Sequence, residues 1–210
     1  MPSLVFPEPA PAGHARFGLG VSVDVLPRRL VESEIREVPR MVGQTRVGVG
    51  ADFFATARFA GNVLSNELSV SAGYAHRFGP IVAALHERVA FWLGYLGVEG
   101  FDTTAWGLMT MPGASIGAGD PNGFRFTATL EVFLVHAQHV RLPDATVERR
   151  RFLVAGGALT LTVEDRVGKS SLVYYGVTAT LAQPDYQLWL AFSDSEQRRV
   201  YPTFFAGYGF

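Results

Sequence analysis

The sequence predicts an all-β chain closed into an antiparallel up-and-down barrel with its apolar side turned outward, and three observations predict it. Apolar residues recur with a period of two through most of the chain, which is the spacing of one strand face. The faces they form run free of charge for roughly nine to eleven residues, the length a tilted strand needs to cross a bilayer. Mean hydropathy is +0.18, yet no apolar run approaches the ~20 residues of a membrane helix.

Composition narrows the function classes. A chain of 210 residues suits one substantial domain or one closed barrel. The formal net charge of −1 supplies no field for nucleic acid. Cysteine is absent, which removes disulfides and thiolate metal sites, and no cofactor motif is found. Met1 to Gly13 has neither the basic nor the apolar stretch of an export signal, and Pro2, Pro7, Pro9 and Pro11 would break one. Residues 1–14 are therefore expected to be a Pro-rich extended tether ahead of a barrel at 15–210, in a form from which the export signal is missing.

Ala15 to Val25 alternates cleanly, with Phe17, Leu19, Val21 and Val23 opposite Arg16, Gly18, Gly20, Ser22 and Asp24. Leu26 to Gln44 is charged and irregular, and a short helix, a hairpin strand or a loop all fit it. Arg46 to Phe59 reads as one unbroken strand, with Val47, Val49, Phe53 and Phe59 opposite Arg46, Asp52, Phe54 and Arg58. The Gly61-Asn62 turn leads to a strand ending at Phe78, and Gly79-Pro80 punctuates it. Ile81 to Val98 alternates as a strand from Val89 to Tyr95, while Ile81 to Glu87 would also suit a helix turn, against which Gly94 and Gly97 weigh. Gly100 to Gly123 follows, loop-like from Gly113 onward around Asp120-Pro121-Asn122-Gly123.

Alternation resumes from Phe124 to Val140 and again from Glu148 to Arg166, with Pro143-Asp144 turning the chain between them. Gly168-Lys169 marks a two-residue hairpin into Val173–Leu181. Gln183-Pro184-Asp185 turns into Tyr186–Phe192, and a bend at Ser193–Arg198 precedes the closing strand. These come to about nine strands, whereas single-chain bacterial barrels use an even number. The tenth is expected from Arg28–Val38 or from Thr104–Met111; ten strands are preferred, with eight the alternative.

The closing stretch, Tyr201-Pro202-Thr203-Phe204-Phe205-Ala206-Gly207-Tyr208-Gly209-Phe210, puts Phe204, Tyr208 and the terminal Phe210 on one side. It resembles the last strand of bacterial outer-membrane β-barrel proteins, in which such aromatics are the assembly signal and sit at the lipid interface. The resemblance implies a transmembrane barrel in a Gram-negative outer membrane. It implies contact with membrane lipid and lipopolysaccharide, insertion by the barrel-assembly machinery, and other envelope proteins as partners.

A soluble lipocalin-like ligand-binding barrel would show the same alternation with the faces exchanged. Its outer coat would carry Lys, Glu, Gln and Asn, whereas lysine occurs here only at Lys169. The polar face is instead Gly, Ser, Thr and Ala with scattered charges, which suits a narrow lumen. Arg46, Asp52, Arg58, Arg88, Arg125, Glu131, Arg150 and Glu164 are expected to form a charge network there. Phe54, Trp92, Phe133, Tyr174 and Trp189 are expected to fill the remaining space.

Function then reads as a structural or envelope-complex barrel with a side-chain-filled lumen and no enzymatic role. A narrow small-solute channel and a membrane-embedded lipid hydrolase are the alternatives. The hydrolase needs a nucleophile and its histidine on one wall. His136 and His139, three apart on a strand, should face opposite ways. His86 and Glu87 are likewise split by the pleat, and Gly168-Lys169-Ser170 lacks the first glycine of a phosphate loop. Arg149-Arg150-Arg151 is expected to be a solvated strand end rather than a phosphate site.

Overall fold

Strand β1 (Ala15–Val25) is hydrogen-bonded on one side to β2 (Glu37–Gly50) and on the other to the last strand, β11 (Arg199–Gly209), so the sheet has no free edge. In the computed structural model the described residues are 5–8, 11–25, 37–62, 65–98, 101–120, 123–141, 146–149, 153–168, 171–182 and 198–210. From β2 the ring continues through β3 (Phe53–Gly61), β4 (Ser65–Phe78), β5 (Ile81–Val98), β6 (Phe101–Gly119) and β7 (Arg125–Arg141). It returns through β9 (Leu153–Val167) and β10 (Ser171–Ala182) to β11. The short β8 (Thr146–Arg149) pairs with β7 beyond the stretch that β9 occupies, so β8 and β9 are two pieces of one stave. The result is a closed antiparallel barrel of ten staves, in which the first and last strands pair with each other.

The ten are reached by a different route from the expected one. Arg46 to Phe59 is a hairpin rather than one strand, turning at Ala51-Asp52, both with positive φ (48° and 68°). Gly48 pairs with Phe54, so residues of equal parity remain on one face and the alternation runs through the turn undisturbed. Gly113 to Gly119, expected as loop, belongs to β6, paired with β5 as far as Ala118 and with β7 at Gly119. Thr104–Met111 lies within that strand, while Tyr186–Phe192 and most of Arg28–Val38 fall outside the described residues.

Two bulges also shift the faces. Met109 pairs with Val135 and Leu108 with Ala137, leaving His136 as the extra residue of β7. Phe133 pairs with Gly156 and Leu134 with Val154, leaving Ala155 extra in β9. Ala155, placed by alternation on the outer face, is consequently fully buried.

The two faces differ as a transmembrane barrel requires. Phe53 (51% exposed), Leu130 (57%) and Leu159 (46%) stand on the outside, while Arg46 (3%), Arg125 (4%) and Glu164 (3%) are enclosed. On the outer wall Glu87 stands exposed between Leu85 and Val89 on β5, while Glu37, Arg141 and Asp165 face outward near strand ends. Among the described residues no helix is long and apolar enough to cross a membrane. Chain ends and the tight turns Ala51-Asp52 and Gly79-Pro80 share one end of the barrel, the terminus end.

Candidate functional site

The lumen is built in three levels, and each arises from inward positions of neighbouring strands. At the terminus end it holds a piece of the chain's own N-terminus. Pro11 to His14 turns at the rim, with Gly13 N–H donating to Gly48 carbonyl at 2.9 Å, and residues 5–8 run back inside. Phe6 is 2% exposed and Glu8 8%. The Glu164 carboxylate of β9 accepts from Val5 N–H (2.7 Å) and Phe6 N–H (3.1 Å). Arg46 of β2 donates to the carbonyls of Phe6 (2.6 Å) and Glu8 (2.8 Å). The Glu8 carboxylate meets Arg125 at 3.0 Å and Arg77 at 3.8 Å. The expected free tether is, over these four residues, a stopper.

The middle level carries ion pairs. Arg88 reaches one Glu131 oxygen at 2.5 Å, and His86 Nε2 lies 3.1 Å from the other. Arg40 pairs with Asp24 at 2.9 Å and Arg58 with Glu67 at 3.5 Å. Thr203 Oγ1 donates to Asp24 at 2.6 Å, and the hydroxyls of Thr160 and Thr178 lie 2.9 Å apart. A cavity of about 260 Å³ is bounded by these groups, and a second of about 150 Å³ lies beside it; Val5 lines both. Three arginines face three carboxylates in this level, so their charges balance.

The far level is apolar. Trp92, Met109, Met111, Phe133, Val135 and Val140 form a buried cluster inside the wall of β5, β6, β7 and β9. Trp92 is seated against Gly107, where a Cβ would come within 2.5 Å of the indole. Alternation alone does not reveal this cluster, because the bulge at His136 brings Val140 inward against the parity of Leu130 and Val132.

The residues singled out from sequence divide as follows. Arg46, Arg125 and Glu164 meet at the stopper, and Arg58, Arg88 and Glu131 belong to the middle level. Phe54 lies under the Arg46 guanidinium at 4.1 Å, and Tyr174 is buried beside Phe205. Trp92 and Phe133 join the far cluster. Asp52 departs from the expected network: it occupies the β2–β3 turn outside the lumen, 3.6 Å from the exposed His76. Arg150 and Trp189 fall outside the described residues. Phe204, Tyr208 and Phe210 face outward, all near half exposed.

The histidines on β7 require a second correction. The bulge lets His136 and His139 share the outer wall, where His139 stacks on Trp106 and His136 Nε2 lies 2.8 Å from Thr110 Oγ1. A hollow of about 810 Å³ is also outside, lined by Ile116, Phe126, Leu161, Tyr175 and Phe204. Its apolar lining suits acyl chains rather than a polar reactant. Among the described residues no group of three or more His, Asp or Glu is placed to hold a metal ion.

Neither a family model nor a curated protein matches the chain. Among solved structures it is similar to Neisserial surface protein A at 10% identity, covering 93% of each chain with a TM-score of 0.42. It is similar to an outer-membrane channel from Pseudomonas putida F1 at 11% identity over 100% of both chains, TM-score 0.45. A third similar structure is the translocator domain of the autotransporter NalP from Neisseria meningitidis, at 13% identity, 95% and 88% coverage and a TM-score of 0.43.

Proposed function

We propose that this chain is an integral outer-membrane barrel that rests closed, sealed by lumen side chains and by its own N-terminal segment, and that it serves the envelope as a structural or complex-forming component. One observation carries the reading: Phe6 and Glu8 are buried in the lumen and held by Glu164, Arg46 and Arg125. An open pore would leave that vestibule to water. Outer-membrane placement is supported by the charge-poor outer wall, the closing aromatics and the short turns at the terminus end. Planar-bilayer recording of the full-length chain is the test, with no steady current expected; ohmic conductance at rest overturns the sealed barrel.

A second reading, lipid hydrolysis on the outer wall, is favoured by one contact, Thr110 Oγ1 beside His136 Nε2. It requires phospholipid or lipid A turnover in detergent that His136→Ala abolishes. Absence of turnover by the wild-type chain removes it.

A further inference from the structure

We propose that the terminus-end vestibule is a binding site for a short acidic peptide, with Val5 to Glu8 as the occupant supplied in cis. The inference rests on the stopper described above and adds what the pocket recognises. Most of the grip is on main chain. Glu164 accepts from two successive backbone N–H groups, and Arg46 forks onto two carbonyls, those of Phe6 and Glu8. None of these four bonds depends on a particular side chain, so a segment from another protein with the same tight turn, in which Glu8 N–H donates to the Phe6 carbonyl at 2.8 Å, would satisfy them equally.

Selectivity comes from two side-chain subsites spaced as i and i+2. Phe6 lies 5.2 Å beneath the Arg125 guanidinium and against Gly117, where a Cβ would stand 2.7 Å from the ring. Glycine at 117 therefore makes room for an aromatic residue. Two residues on, the Glu8 carboxylate sits between Arg125 and Arg77. Pro7 has no N–H and its carbonyl enters none of the clamp bonds above, so a proline is accepted between the two subsites. Arg16, Arg46, Arg77 and Arg125 outnumber Glu164 in this vestibule, which favours an anionic occupant. The pattern read is an aromatic residue, any residue, then a carboxylate.

A short tether holds the cis occupant at an effective concentration of millimolar order. A trans peptide therefore competes poorly until the cis segment is weakened, and this sets the experiment. The full-length chain carrying Phe6→Ala and Glu8→Gln keeps the whole clamp but loses both side-chain anchors. A fluorescein-labelled peptide of residues 4–9 (Leu-Val-Phe-Pro-Glu-Pro) is titrated against it in detergent and followed by anisotropy. Expected is binding at least about tenfold tighter than to the wild-type chain. Adding Glu164→Gln or Arg125→Gln should weaken it again by about tenfold, the loss of one charge-assisted contact, and a peptide with Ala for Phe and Glu should not bind.

The proposal is overturned if the double variant, shown folded by its heat-dependent gel shift, gives no saturable binding. It is equally overturned if Glu164→Gln and Arg125→Gln leave binding unchanged. Conductance of the wild-type chain decides the sealed-barrel reading separately: current at rest together with specific peptide binding removes the seal and keeps the clamp.

Discussion

Phe17 and Phe210 exchange both of their backbone hydrogen bonds, at 3.1 and 2.9 Å, and their rings lie 6.4 Å apart on the outer face. The last residue of the chain thus extends the seam between β1 and β11 and adds an aromatic contact at its end. Deleting Phe210 removes two ladder bonds and the ring pair, an expected loss of about 1–3 kcal/mol. The check is the fraction of protein that keeps its compact mobility in an unboiled gel. Phe210→Ala, which preserves the backbone bonds, should lose less.

Leu130 faces outward in the middle of β7, while its neighbour Thr129 faces the lumen. Leu130→Arg should cost about 2–4 kcal/mol in lipid vesicles. Thr129→Ser should cost well under half of that. Urea titration in vesicles measures both, and equal small costs would mean that the Leu130 face is not in hydrocarbon.

Glu131 joins Arg88 and His86 across the lumen. Glu131→Leu leaves Arg88 enclosed without its carboxylate, for which a cost of about 3–5 kcal/mol is expected. Glu131→Leu with Arg88→Leu should recover most of it, and a double-mutant cycle from urea midpoints gives the coupling.

Ala51 and Asp52 both hold positive φ in a two-residue hairpin that Asn-Gly would occupy at lower cost. The exposed contact of Asp52 with His76 contributes little to set against this. Ala51→Asn with Asp52→Gly should stabilise the barrel by about 1 kcal/mol, read as a raised urea midpoint with unchanged slope.

Gly107→Val places a branched side chain where the Trp92 indole lies. The ring must move out of the far cluster, at a cost of about 1–3 kcal/mol. A shifted tryptophan emission maximum reports the displacement, and an unchanged spectrum would mean that Trp92 does not rest on Gly107.

Most of the architecture was legible because burial in a barrel follows parity. Phe17 to Val23, Leu68 to Tyr74 and Tyr175 to Leu181 each show it plainly. What stayed hidden is what leaves parity intact or breaks it locally. The bulge beside the Ala51-Asp52 turn leaves an odd number of residues, 49–53, between the partners Gly48 and Phe54, so parity carries through and the hairpin looked like one strand. Gly113, Gly117 and Gly119 resembled a loop, yet two of them make room for lumen side chains, His86 at Gly113 and Phe6 at Gly117. Bulges at His136 and Ala155 reversed the faces beyond them, which concealed the apolar cluster and misplaced the histidines. The stopper was least visible, since Pro7 and Pro9 spoke for an extended tether. The available signal was an aromatic and an acid, Phe6 and Glu8, ahead of a wall whose terminus-end inward positions are rich in arginine.

The bonds from Glu164 to the backbone of Val5 and Phe6 join positions 159 and 158 residues apart. Contacts of such high sequence separation are slow to form, because the loop they close is nearly the whole chain. The Glu164 half of the clamp is therefore available only once β9 is in place, whereas Arg46 lies only 40 and 38 residues from Phe6 and Glu8. Refolding should show a final kinetic phase in which a completed cylinder captures its own leading end, and Glu164→Gln should change that phase while sparing those before it.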